Sequence, residues 1–186
     1  MAARKVAVLV DSLRQGSFTR RVARALQAMQ PDGLELDIVE IGELPLYNQD
    51  LETEKPPAAW TAFRARVRPA DAVLFMTPEY NRSMPGALKN AIDVGSRPYG
   101  HSVWSGRPCA VVSTSQGPIG GFGANHHLRQ CLVFLDMPVL QQPEMYLASV
   151  DKLVDEKGHP SEAGKPLLAK FLEAFARWIE RNATAA

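Results

Sequence analysis

Three short stretches of this sequence are apolar almost without a break: Val6–Val10, Ala72–Met76 and Cys109–Val112. Runs of that length and evenness suit strands of a parallel sheet, which are covered on both faces and so show no alternation. Parallel neighbours cannot be joined by a hairpin; each needs a crossover, usually a helix. Helical patterns fill the intervals. Val22, Ala25, Leu26 and Met29 recur at helical spacing after the first run. Trp60, Phe63, Arg64 and Val67 mark a second helix, and Pro85 suits the first turn of a third. Leu128, Leu132 and Leu135 mark a fourth, and the last carries an amphipathic stripe from Leu167 to Ile179 that reads as core packing. Two further strands are expected, at Leu34–Val39, where apolar and polar residues alternate, and near Val139–Leu140. Together these predict an α/β fold, a flavodoxin-like three-layer sandwich around a five-stranded parallel sheet of order 2-1-3-4-5. No repeat, linker or low-complexity segment divides the chain, so residues 1–186 are expected to form a single domain.

Composition narrows the function classes. The chain is 46% hydrophobic and 22% charged with a formal net charge of +1, which gives no electrostatic reason to expect nucleic acid or an anionic membrane. No apolar run approaches the ~20 residues that span a bilayer. The strand-like start leaves no room for a signal peptide, and Cys109 and Cys131 lie in no CxxC pattern, so free thiols in a reducing cytoplasm are expected. His101, His126, His127 and His159 have no partners at metal-ligand spacing, and no metal is expected.

In a sheet of this order ligands sit beyond the carboxyl ends of the strands, where the order reverses between strands 1 and 3. Three unusual loops fall on that edge. The first, Asp11–Thr19, carries hydroxyls, Arg14 and Gly16, and Ser17 is placed to cap the helix that follows. Free N–H groups at the positive end of a helix, with hydroxyls and a guanidinium, suit an oxyanion. The loop is neither a Walker A nor a Gly-x-Gly-x-x-Gly. A hydroxyl-rich loop points instead to a mononucleotide such as FMN, the alternative being ordinary connecting structure. The second loop, Pro78–Met84, offers the ring of Tyr80 and the amide and backbone of Asn81 to a flat heterocycle; a plain turn needs only its Pro and Asn. The third, Ser113–Gly123, holds four glycines that permit close backbone approach to a ligand or simple surface mobility.

Four segments carry a family resemblance. Ser12-Leu13-Arg14-x-Gly16-Ser17-Phe18, Leu44-Pro45-Leu46-Tyr47-Asn48-Gln49-Asp50-Leu51-Glu52, the run from Thr77 to Asp93, and Ser115-x-Gly117-x-x-Gly120-Gly121 resemble the NADPH-dependent FMN reductases, bacterial quinone and chromate reductases among them. The resemblance covers nearly the whole chain. It implies that Ser12, Arg14, Ser17 and Thr19, with Phe18, surround an FMN phosphate. Pro78, Glu79, Tyr80 and Asn81 would line the isoalloxazine and ribityl side, and Ser115 and Gly117 would close the far edge. Arg82 and Tyr47 are candidates for substrate contacts, with Glu79 holding backbone rather than acting as an acid. Two positions depart from the family pattern, Asp11 standing where Gly is usual and Thr19 where Asn is usual. Thr19 keeps a hydroxyl. Asp11 would place a carboxylate beside a phosphate, and like charges ~5 Å apart at an effective dielectric near 20 repel by roughly 3 kcal/mol. A left-handed backbone there would add about 1 kcal/mol of strain. Alternatively Asp11 turns outward or caps the helix, with Arg14 neutralising it.

The implied activity is that of an FMN-dependent NAD(P)H oxidoreductase that passes two electrons through the flavin to quinones or similar acceptors, chromate, free flavins and azo compounds included, in ping-pong order. No catalytic side chain is required, since the cofactor carries the chemistry. The alternatives are a flavodoxin-like electron carrier, for which the near-neutral charge is unusual, and a fold-retaining protein whose FMN binding Asp11 has weakened. The implied partners are a small-molecule electron acceptor and a second copy of the chain in a homodimer, with a tetramer as the extension. Tyr47, Asn48, Asp50, Tyr99 and Trp104, and the helix bearing Leu128 and Leu132, are the expected contacts.

Overall fold

The computed structural model describes residues 3–182. β1 (Arg4–Val10) leads into α1 (Phe18–Ala28), β2 (Leu34–Val39), α2 (Ala58–Val67), β3 (Ala72–Pro78), α3 (Gly86–Gly95), β4 (Cys109–Thr114), α4 (Phe122–Phe134), β5 (Met145–Leu147) and α5 (Gly164–Asn182). The strands form one parallel sheet in the order β2-β1-β3-β4-β5, as the alternation of strand and helix patterns predicts. Period-two alternation divides the side chains of β1 between two layers. Val6, Val8 and Val10 pack with Val22 and Leu26 of α1 and Leu168, Phe171 and Phe175 of α5. Ala7 and Leu9 pack in the opposite layer with Trp60 and Phe63 of α2, Leu88 of α3 and Leu128 and Leu132 of α4.

Three expectations need correction. The fifth strand is Met145–Leu147, paired with Val112–Thr114, and not Val139–Leu140. Val139 makes only a single bridge to Cys109 before Gln141, Gln142 and Pro143 carry the chain on. Proline has no N–H to donate, so the edge segment is split and the regular pairing resumes nearer the ligand edge of the sheet. Trp104 is no surface contact either. It is wholly buried between Phe63 and Phe75, with ring centroids 6.1 and 5.8 Å away, and its Nε1 donates to the Ile92 carbonyl at 2.9 Å. Leu128 and Leu132 of α4 face this chain's own core; the helix instead turns Val133 and Phe134 outward.

Candidate functional site

β1, β3 and β4 end on one edge of the sheet, and each continues into one of the three loops. A cleft of about 250 Å³ lies among them. Ser12, Arg14, Phe18 and Thr19 come to it from the first loop; Pro78, Glu79 and Tyr80 from the second; Thr114, Ser115 and Gln116 from the third, with Val150 behind.

The first loop is held by its own hydrogen bonds. Ser17 N–H donates to the Arg14 carbonyl at 3.1 Å, closing a turn. Ser17 Oγ accepts from Arg20 N–H at 3.0 Å and caps α1 as its position predicts. The next two N–H groups, of Phe18 and Thr19, have no partner among the described residues and stand at the positive end of the helix. The guanidiniums of Arg14 and Arg21 both lie over the Phe18 ring, 5.6 and 4.7 Å from its centroid. Neither makes an ion pair among the described residues. Thr19 Oγ1 and Thr114 Oγ1 share a buried hydrogen bond of 2.7 Å that ties α1 to the end of β4. Two like-charged side chains beside open N–H donors are chemistry that suits a small multiply charged anion.

The second loop is a tight turn. Tyr80 and Ser83 exchange backbone hydrogen bonds of 2.9 and 3.0 Å, and Asn81 and Arg82 between them both have positive φ, 51° and 67°. Two left-handed residues in succession define a type I′ turn, which ordinarily carries glycine. Arg82 therefore sits at a conformational cost, and its guanidinium is tied back to Glu79 at 2.9 Å. The other oxygen of Glu79 accepts from Ala124 N–H at 3.0 Å in the first turn of α4, whose own N-cap is Gly121 and has no side chain to offer. Glu79 thus fixes backbone.

Asp11 does the same for α3. It continues the alternation of Ala7 and Leu9 into the layer that holds α3, away from α1, and is 2% exposed. Its Oδ1 accepts from Leu88 N–H at 2.9 Å, capping a helix whose N-cap residue, Pro85, cannot. Its φ is not left-handed. The carboxylate does not line the cleft, so the expected contact with an anion there is corrected, as is the expected strain. Burial pushes its pKa up to about 8, against the opposing pull of the Leu88 N–H, so the group is largely neutral at pH 7.

Of the residues singled out from sequence, Ser12, Arg14, Phe18, Thr19, Pro78, Glu79, Tyr80 and Ser115 converge on the cleft. Ser17 sits behind it as the cap, Asn81 lies on the turn, and Gly117 donates its N–H to Ser115 Oγ at 3.0 Å, shaping the third loop from outside. Arg82 and Tyr47 are not part of it. Tyr47 stacks on Trp60 at 5.2 Å and its N–H donates to Asn90 Oδ1. Thr114, Gln116 and Val150 are additions. Thr114 could have been found as the last residue of a strand aligned with the hydroxyl loop, whereas Val150 arrives from beyond β5 with no local signal. Among the described residues no group of three or more His, Cys, Asp or Glu is placed to hold a metal, and no helix is long and apolar enough to cross a membrane.

Comparison with known proteins agrees with this geometry. Residues 4–152 match the family described as NADPH-dependent FMN reductase. A quinone reductase of Pseudomonas putida is 59% identical over 177 residues, 95% of each chain. A 2-hydroxy-1,4-benzoquinone reductase of Burkholderia sp. is 45% identical over 176 residues, covering 94% of this chain and 96% of the relative. The solved structure of the flavoenzyme NAD(P)H:(acceptor) oxidoreductase FerB from Paracoccus denitrificans superposes with a TM-score of 0.92 at 38% identity, over 98% of this chain and 100% of that one. With its sheet order, its three loops and these relatives in agreement, the chain belongs to the NADPH-dependent FMN reductase family.

Proposed function

We propose that the protein is an FMN-dependent NAD(P)H:quinone oxidoreductase whose cofactor lies in the cleft between the three loops. The observation that carries this reading lies at one end of that cleft: the N–H groups of Phe18 and Thr19, open among the described residues, beside the Arg14 guanidinium, which makes no ion pair among them. In this reading Ser12, Arg14 and Thr19 hold the FMN phosphate, with Ser17 fixing the helix start that presents those donors. Pro78, Glu79 and Tyr80 form the wall along the ring, and Ser115 and Gln116 close the opposite side. Bound FMN supplies the redox chemistry, taking two electrons from NAD(P)H and returning them to an acceptor. The chain supplies orientation and a floor: the rigid turn at Asn81 and Arg82 fixes one side of the ring, and no side chain need exchange a proton. Tyr80, half exposed at the rim, is placed to meet whichever flat substrate occupies the open side. One open side visited in turn by nicotinamide and quinone gives ping-pong kinetics.

The same reading places the whole chain, as one domain, in the cytoplasm, where NAD(P)H is available and the free Cys109 and Cys131 stay reduced. It also makes the working unit a homodimer, supported by large apolar side chains that the single chain leaves in water: Tyr99 is 91% and Phe134 89% exposed.

The test is direct. Purified protein mixed with FMN and passed through a desalting column should retain flavin absorbance and should consume NADH or NADPH when 1,4-benzoquinone is added. Double-reciprocal plots at several quinone concentrations should be parallel. Retained flavin without NAD(P)H consumption would point to a carrier, and loss of all flavin on the column would remove the FMN assignment.

A further inference from the structure

Asp11 is the one buried side-chain group among the described residues with an oxygen left over. Oδ1 is committed to Leu88 N–H, but Oδ2 makes no hydrogen bond. The polar group beside it is the Thr77 hydroxyl, at the end of β3. That hydroxyl has one proton, and the proton is donated at 2.7 Å to the carbonyl of Pro78, the residue that opens the second loop. Toward Asp11, therefore, Thr77 offers only lone pairs. An ionised Oδ2 would set two acceptors against each other in a buried site; a protonated Oδ2 can donate, extending a chain from Asp11 to Thr77 to the Pro78 carbonyl.

We propose that Asp11, held as the neutral acid, is a positioning residue for the flavin site, joining the end of β1 to the first turn of α3 and, through Thr77, to the start of the Pro78–Met84 loop. The inference rests on the flavin reading above, since that loop forms the wall for the ring. Burial alone already favours the protonated form, with the pKa pushed up to about 8. The charged side chains of the surrounding elements do not oppose it. Arg14 on the first loop lies over Phe18, Glu79 on the second is bound to Arg82 and Ala124 N–H, and Lys89 on α3 is paired with Asp93. None of them contributes to the shift.

The consequence is a flavin site that loosens in mild alkali. When Asp11 ionises, its carboxylate competes for the Thr77 proton, the Pro78 carbonyl loses its donor, and the loop is no longer tied to β1. The phosphate of FMN gives no such fall, because its second ionisation, with a pKa of ~6, adds negative charge as pH rises and so favours binding beside Arg14.

The experiment is FMN titration by fluorescence quenching from pH 6 to 9.5, on the parent chain and on Asp11→Asn and Asp11→Ala. Asparagine is the isosteric mimic of the neutral acid, since its oxygen accepts from Leu88 N–H and its amide donates to Thr77 without titrating. The parent should bind FMN no more weakly at pH 7 than at pH 6 and should then weaken, by about tenfold per pH unit once the acid is ionised. Asp11→Asn should keep the low-pH affinity and lose the fall. Asp11→Ala should bind weakly at every pH. The proton itself is read without flavin: the carboxylic C=O band in the infrared spectrum of the flavin-free parent should disappear in Asp11→Asn. A parent whose affinity stays flat to pH 9.5, a fall that persists in Asp11→Asn, an alanine variant that binds like the parent, or the absence of the carboxylic band would each overturn the proposal. Failure of the parent to bind FMN at pH 6 would instead overturn the flavin reading, and this coupling with it.

Discussion

At the scale of single residues, the face of the strand decides what a side chain does, and Asp11 and Ser12 are the clearest pair. They are neighbours in sequence, yet Ser12 lines the cleft while Asp11 enters the opposite layer to cap α3. The departure of Asp11 from the family pattern was legible, but its role was not, because the receiving N–H belongs to a residue 77 positions away. Its burial has a measurable consequence even without flavin. The folded chain keeps a proton on Asp11 up to about pH 8, while the unfolded chain gives it up near 3.8. Folding therefore takes up a proton across that window. The stabilisation is complete below pH ~4 and is lost as pH rises toward 8, at a slope approaching about 1.4 kcal/mol per pH unit. Urea midpoints of the flavin-free parent and of Asp11→Asn, taken at pH 5 and pH 8, should show the parent losing more stability than the variant; identical changes would mean that Asp11 titrates normally. Arg14 is the second residue-scale case. A charge-assisted contact contributes about 1.5–3 kcal/mol, so Arg14→Ala should weaken FMN binding roughly ten- to hundredfold in a fluorescence titration. An unchanged dissociation constant would place the phosphate elsewhere.

Among elements, what the sequence conceals is where one element borrows from another. The periodicities of α1, α2 and α5 and the apolar runs of β1, β3 and β4 are local signals, and they mark their elements. α3 and α4 begin at Pro85 and Gly121, which carry no capping side chain, and each takes a carboxylate from a loop at the ligand edge, Asp11 for one and Glu79 for the other. Those long-range caps also fasten the loops around the cleft to helix ends. Trp104 was misread for a related reason. Its segment looks like a Gly/Pro-rich connection, and the feature that admits the ring is Gly95 at the end of α3. A Cβ on Gly95 would fall 2.2 Å from Trp104 Cζ2, in a ring with no exposed surface. Gly95→Ala should therefore destabilise the fold by about 1–3 kcal/mol through overpacking, read as a lower urea midpoint. FMN affinity at low urea should be unaffected, because the contact lies away from the ligand edge. An alanine variant as stable as the parent would show that the ring has room to shift.

Over the whole molecule, the sheet order and the edge that carries the site follow from general rules of parallel α/β folds, and so were legible; the exposed apolar surface was legible only in part. Sequence pointed to Tyr99, which is 91% exposed, but also to Trp104 and to the leucines of α4, which lie inside. Two exposed apolar residues that sequence did not single out join Tyr99: Val133 and Phe134 at the end of α4 are 74% and 89% exposed. Tyr99 and Phe134 border a groove of about 750 Å³ between α3 and α4, in which Lys89, Asp93, Arg97 and Asp136 place both signs of charge. A two-fold axis through such a groove can bring Arg97 of one copy to Asp136 of the other, the kind of pairing a self-complementary interface needs. On this argument light scattering at micromolar concentration should give twice the chain's 20.4 kDa, and Phe134→Glu should give the single mass. Because Phe134 is almost fully exposed in the single chain, the substitution should change that chain's own stability by no more than about 0.5 kcal/mol. Comparing NAD(P)H oxidation by the two proteins then tells whether the second copy completes the open side of the flavin site. A parent that runs at the single mass with full activity would show that one chain suffices, and that the exposed aromatics serve no second copy.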